Sequence, residues 1–125
     1  MNVVLDSDVV IEALRARDTT VLSKWNVLKN SDFAILFSPV TTAEVWAGAR
    51  PNEHQRISEF FGPLICVPVD QIVGHLAGEL LRQYSKSHGL DIADALIAAT
   101  AIQNQAALWT NNRKHYPMKN MTFYT

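Results

Sequence analysis

Cysteine is almost missing from this sequence, and so is any surplus of charge. The single Cys66 cannot form an internal disulfide, which fits a reducing compartment. Within the apolar run Leu64-Ile65-Cys66-Val67 it reads as a small buried hydrophobe. Lys and Arg total 11 against 12 Asp and Glu, so a net charge of −1 gives no overall attraction for nucleic acid, and any such binding must come from a local patch. No apolar run approaches the roughly 20 residues that a membrane-spanning helix needs. The start, Met1-Asn2-Val3-Val4-Leu5-Asp6, has no basic region and meets an acid after three apolar residues, unlike a signal peptide. A cytoplasmic protein with no membrane association is therefore expected. The glycines are scattered, with no phosphate-cradling loop and no Gly-x-Ser-x-Gly elbow. His54, His75, His88 and His115 show no metal-ligand spacing, which argues against zinc and leaves each as a surface or packing residue.

What the chain does have is apolar side chain, 48% of its residues, enough for the core of one domain over 1–125. Val3-Val4-Leu5 reads as a strand, followed by a helical pattern at Val9, Val10, Ala13 and Leu14. A second helix carries Val21, Leu22, Trp25 and Leu28, with Asp18 at its start. Phe33 to Phe37 is a five-residue apolar strand of the kind covered on both faces, and Ser38-Pro39 breaks it before Thr41 opens a helix. Pro51-Asn52 starts another helix, which Gly62-Pro63 ends, and Leu64 to Val69 forms a third strand. A long amphipathic helix runs from Asp70 to the His88-Gly89 stop. Asp91 to about Gln105 is the most apolar helix, Ala107 to Thr110 a short strand, and Met121 to Tyr124 a last one. Strands alternating with helices predict an α/β fold, a parallel sheet with helices on both faces.

In such sheets ligands gather beyond the carboxyl ends of the strands. Asp6, Glu44, the pair Asp91 and Asp94, and Thr110-Asn111-Asn112 all fall there. Several have a purely structural reading. Thr41-Thr42-Ala43-Glu44 is a capping box, Asp91 a cap for its own helix, and Asp8 a cap for the first helix or a residue behind the pocket. Asp94 resists that reading, because positions 94, 97, 98, 101 and 102 share one helical stripe and the other four are Ile97, Ala98, Ala101 and Ile102. An inward carboxylate needs a partner, and so does Asp6 if the first strand is central. No Lys or Arg lies within these apolar elements, which leaves a hard divalent cation, Mg²⁺ or Mn²⁺, with oxygen ligands and retained waters. Two such ions about 4 Å apart can stabilise both oxygens of a phosphodiester displacement.

Four segments in order, Leu5-Asp6-Ser7-Asp8-Val9-Val10-Ile11, Thr42-Ala43-Glu44-Val45-Trp46-Ala47-Gly48, Ala93-Asp94-Ala95-Leu96-Ile97-Ala98-Ala99-Thr100-Ala101 and Leu108-Trp109-Thr110-Asn111-Asn112-Arg113-Lys114-His115-Tyr116, resemble the motifs of PIN domains. The overall pattern is similar to VapC-type toxins of bacterial toxin–antitoxin pairs. That resemblance implies a three-layer α/β/α fold with a central, mainly parallel sheet of four to five strands. It implies an endoribonuclease in which Asp6, Glu44 and Asp94 are the catalytic, metal-binding acids, with Mg²⁺ or Mn²⁺ activating a water. Ser7, Asp8, Thr110 and Asn112 would support them. Many relatives have an aspartate where this chain has Asn112, which puts a second metal in doubt or moves it onto Asp91. Arg15, Arg17, Arg50, Arg113, Lys114 and Lys119 are candidates for an RNA-binding rim, and Tyr116 for stacking on a base. The implied partners are RNA, a cognate antitoxin and a second copy of the chain. Trp25, Ile57 and Phe60 are either core or a protein-facing groove. The alternative is a non-catalytic PIN-like domain that binds RNA or protein. A phosphoacceptor receiver is disfavoured, because Ser7 and Val69 stand where it needs acids.

Overall fold

A computed structural model describing residues 1–125 contains β1 (Asn2–Leu5), α1 (Ser7–Arg15), α2 (Thr19–Lys29), β2 (Ala34–Phe37), α3 (Pro39–Ala47), α4 (His54–Phe61), β3 (Ile65–Cys66), α5 (Gln71–His88), α6 (Ile92–Gln103), β4 (Ala107–Trp109) and β5 (Thr122–Phe123). Short 3-10 turns lie at Pro51–Glu53 and Arg113–His115. The five strands form one sheet in the order β3-β2-β1-β4-β5, and every pairing is parallel. All carboxyl ends therefore share one edge, with β1 at the centre and β4 inserted beside it.

Side-chain alternation along β1 builds the layers. Val3 and Leu5 face one way, packing with Val9, Val10, Val21, Trp25 and Ile57 of α1, α2 and α4. Val4 faces the other way, into Val73, Ala77, Leu80, Ile97, Ala98 and Ala101 of α5 and α6. The result is a three-layer α/β/α arrangement. The run Ala95 to Ala101 in α6 is buried apart from Leu96, which is partly exposed, because its small alanines let the helix lie close to both α5 and the sheet. Gly89 closes α5 in the left-handed conformation, φ 66°, and its amide reaches the carbonyls of Ser85 and Tyr84.

Three local readings differ from expectation. Helix α3 starts at Pro39, not Thr41: Ser38 is the N-cap and its Oγ accepts from the Val40 amide at 3.1 Å. Proline's fixed φ suits a first helical turn, so the residue that looks like a break is the beginning. Thr41 is fully buried instead, and its hydroxyl donates to the Leu5 carbonyl at 3.3 Å. Strand β3 covers only Ile65–Cys66, the edge of the sheet, where Pro68 has no amide proton to extend a ladder. Cys66 is exposed there rather than buried, since an edge strand has a neighbour on one side only. Trp25 and Ile57 are core residues, and half-buried Phe60 stacks on Trp25 at 4.9 Å. No helix is long and apolar enough to cross a membrane.

Replacing fully buried Ile97 by Ala should cost about 2–5 kcal/mol in urea unfolding. The same change at Ile92, 66% exposed on the same helix, should stay within about 0.5 kcal/mol. Equal losses would contradict this packing of α6.

Candidate active site

Asp6 follows the central strand and caps α1 in extended conformation, so the backbone delivers its carboxylate to the carboxyl edge of the sheet. Its amide donates to the Trp109 carbonyl at 3.0 Å, which ties it to β4. The side chain is buried, and three donors hold it. Oδ1 accepts from the Ser7 amide at 2.8 Å, and Oδ2 accepts from the Thr110 hydroxyl at 2.9 Å and the Tyr116 hydroxyl at 2.8 Å.

Asp94, in the first turn of α6, meets Asp6 across that same tyrosine: Tyr116 Oη lies 3.2 Å from its Oδ1. A phenol has one proton to share between two carboxylates. Burial raises Asp94 above the ordinary aspartate value, and the charges of Asp91 and Asp6 push it the same way. Burial also drives the Tyr116 phenol far above its usual value, followed by the two neighbouring acids, so it stays a donor. Tyr116 is thus a buried bridge between acids and not the base-stacking surface the sequence suggested.

Ser7 links the third acid. Its amide bonds Asp6 while its hydroxyl donates to Glu44 Oε1 at 3.0 Å, joining α1 to α3. The capping-box reading of Glu44 fails, since Ser38 caps α3 and Glu44 stands exposed further along the helix. Asp8 does not cap α1 either, because Asp6 occupies that position. It turns toward the loop after β4, where Oδ2 accepts from the Asn111 amide at 3.1 Å and lies 3.4 Å from the Thr110 hydroxyl. Its Oδ1 is buried without a partner. Burial first, then Asp6, pushes Asp8 up to about 6.

Asp91 is the N-cap of α6, accepting the Asp94 amide at 2.8 Å, as its capping reading required. The Asn112 amide donates to Thr110 Oγ at 3.0 Å and so orients the hydroxyl that holds Asp6. Sequence reasoning missed the placement of His115, whose Nδ1 lies 3.6 Å from Asp94 Oδ2. A search for histidine spacing could not find it, because its partner is a lone acid on another element. Its position just after the Thr110-Asn111-Asn112 cluster was the available signal.

The cationic candidates are exposed but dispersed. Arg15 lies at the far end of α1 from Asp6, Arg50 caps the turn at Pro51–Glu53, and Arg113 and Lys114 follow Asn112 directly. Arg17 is paired with Glu12 at 3.0 Å. No Lys or Arg forms an ion pair with Asp6, Asp8 or Asp94.

The donor set fits a divalent cation on three observations: two carboxylates facing one hydroxyl, an upward-shifted Asp94, and an orphaned buried oxygen on Asp8. No three of the His, Cys, Asp and Glu side chains converge closely enough to enclose an ion by themselves.

Comparison with known proteins bears on this constellation. A family model for the PIN domain matches residues 3–120. The chain is 32% identical over 115 residues to Ribonuclease VapC19 of Mycobacterium tuberculosis, covering 91% of each. It is 32% identical over 117 residues to Ribonuclease VapC10 of the same organism, covering 93% of this chain and 86% of that one. Its fold matches VapBC2 from Rickettsia felis, solved bound to a DNA fragment from its promoter, with a TM-score of 0.81 at 24% identity over 99% of this chain and 98% of that one.

Two measurements on metal-free protein test the site. A carboxyl with a raised folded value stabilises the fold below its ordinary value near 4 and loses that contribution as pH climbs through about 6. Thermal midpoints should therefore drop between pH 4 and pH 6, and Asp8→Asn should flatten the drop; superimposable profiles would remove Asp8 from this role. Tyr116→Phe keeps the ring but leaves the facing acids without their shared donor, with an expected loss of about 1.5–3 kcal/mol by denaturant titration.

Proposed function

The chain belongs to the PIN-domain family, and on that premise we propose that it is a metal-dependent endoribonuclease hydrolysing RNA phosphodiester bonds, the toxin of a toxin–antitoxin pair. The observation that carries the reading is the meeting of Asp6 and Asp94 at one tyrosine hydroxyl, on the carboxyl edge of a parallel sheet, with no Lys or Arg in ion-pair contact. Residues 1–125 act as a single PIN-type domain.

Asp6 and Asp94 would hold the ion, Mg²⁺ or Mn²⁺, with Glu44 reaching it by moving from the rim; when bound, the ion would supply a Lewis acid and lower the pKa of a water enough to make it a nucleophile at neutral pH. Asp6 is the rigid member, since three donors hold its orientation. Glu44 is the mobile, solvent-facing member, steadied by one hydroxyl from Ser7. Thr110, Asn112 and Tyr116 fix the geometry, and Asp8 stands behind them, adding negative charge once it is ionised. Asp91 caps α6 and, through its charge, raises Asp94, which sharpens the need for a cation.

The acids repel a phosphodiester, so RNA has to be drawn in by cations on the rim. Arg113 and Lys114 are best placed because they follow Asn112, and Arg15 and Arg50 would extend the contact. A cognate antitoxin covering the site, pairing with a second copy of the chain, and a cytoplasmic setting complete the proposal. Asn112, an amide where many relatives have an acid, favours a single ion over two.

Cleavage of labelled RNA by purified protein should require Mg²⁺ or Mn²⁺ and stop in EDTA. Asp94→Asn should lower the rate by at least about 100-fold, a loss that supporting residues around a metal can already produce. Glu44→Gln should lose cleavage with no change in thermal midpoint, since that side chain is exposed and caps nothing. RNA binding with no metal-dependent cleavage in the unaltered protein would leave a non-catalytic RNA-binding domain in its place.

A further inference from the structure

Two adjacent residues reach Asp94, one at each oxygen. The Tyr116 hydroxyl lies 3.2 Å from Oδ1, and His115 Nδ1 lies 3.6 Å from Oδ2. Both side chains leave the backbone at the turn Arg113–His115, where the His115 amide donates to the Asn112 carbonyl at 3.0 Å and the Tyr116 amide to the Arg113 carbonyl at 2.9 Å. The start of the turn is fastened to the acids as well, because the Asn112 amide donates to the Thr110 hydroxyl that holds Asp6. The imidazole is therefore carried by backbone tied to the acid cluster at both ends. Its side chain is 50% exposed, against 21% for Asp94, so the ring stands on the solvent side of that carboxylate.

The two ring nitrogens have different tasks. An ionised carboxylate only accepts, so the nitrogen turned to Asp94 is the one that carries the proton, and in the neutral ring Nε2 is left with a lone pair. Asp94 is the one polar partner of the imidazole within the chain, which leaves Nε2 free to accept from a ligand. That acceptor selects among the groups a nucleic acid offers. Phosphate oxygens accept and cannot pair with it, whereas the ribose 2′-hydroxyl donates and is missing from DNA. This hydroxyl sits on the sugar carbon next to the one bearing the 3′ phosphodiester. A strand that brings that phosphodiester to Asp6 and Asp94 brings the hydroxyl alongside, while the amino groups of the bases lie beyond the sugar.

Resting on the ribonuclease reading, we propose that His115 is a specificity-determining contact, accepting a hydrogen bond from the ribose 2′-hydroxyl beside the phosphodiester at the acids and so distinguishing RNA from DNA. Arg113 and Lys114, exposed in the same turn, suit the phosphates that both polymers share and cannot make that distinction. The acid at Nδ1 fixes the ring, and the ring reads the sugar.

The test compares binding of a short, labelled single-stranded RNA with that of the same sequence as DNA, with EDTA present so that nothing is cut. The unaltered chain should bind the RNA about fivefold more tightly, the worth of one net hydrogen bond. His115→Asn keeps an N–H near the place of Nδ1 but has no acceptor further out, and it should bind both polymers as the unaltered chain binds DNA. His115→Gln, whose longer side chain carries an amide oxygen out to the place of Nε2, should recover most of the preference. Lys114→Gln should weaken both polymers alike. An RNA preference that survives His115→Asn, equal weakening of both polymers by that change, or no preference in the unaltered chain would each overturn the proposal. Any of these beside intact metal-dependent RNA cleavage removes this contact alone. A preference abolished by His115→Asn, in a chain that cuts no RNA with Mg²⁺ or Mn²⁺, removes the ribonuclease reading and leaves His115 as the ribose contact of a binding domain.

Discussion

Two carboxylates sharing the proton of one buried phenol, with no Lys or Arg paired to them, is the constraint around which this molecule is organised. Like charges at close range in a partly dry setting raise the cost of ionisation, and Asp94 and Asp8 both show it as upward shifts. The fold tolerates that cost because the acids sit on its most rigid parts. Asp6 is an extension of the central strand, and Asp94 begins a helix largely buried from Ala95 to Ala101. A site held this firmly is preorganised for a cation, since little has to move when one arrives.

The same constraint separates the roles of neighbouring side chains. Thr110, Tyr116 and the Ser7 amide all donate to Asp6, so its orientation is over-determined. Glu44 has one hydroxyl contact and open solvent beside it, which leaves it free to adjust.

The fold was largely legible because its signals are local. Period-two and helical patterning, the Asp18 cap and the Gly89 stop each depend on a few adjacent residues, and each element formed near its expected place. The inward stripe of α6 made Asp94 conspicuous, because a carboxylate among Ile97, Ala98 and Ala101 has no packing explanation. What stayed hidden depends on contacts between distant segments. Tyr116 meets Asp6 110 positions away, and nothing around Tyr116 distinguishes a buried donor from an exposed ring. Glu44 misled because Thr41-Thr42-Ala43-Glu44 satisfies a capping pattern, while the real start lies at Ser38-Pro39. Cys66 misled because an apolar run reads the same in a central strand as at an edge.

The order β3-β2-β1-β4-β5 carries a consequence for biosynthesis. The central strand is the first element made, yet its neighbour β4 is among the last, and Asp6 depends on Thr110 and Tyr116 from that late segment. A growing chain that ends before Tyr116 has no means of assembling the acid cluster, however well its earlier helices have formed. The cluster is therefore completed only when the final strands slide in beside the first, late in the making of the chain.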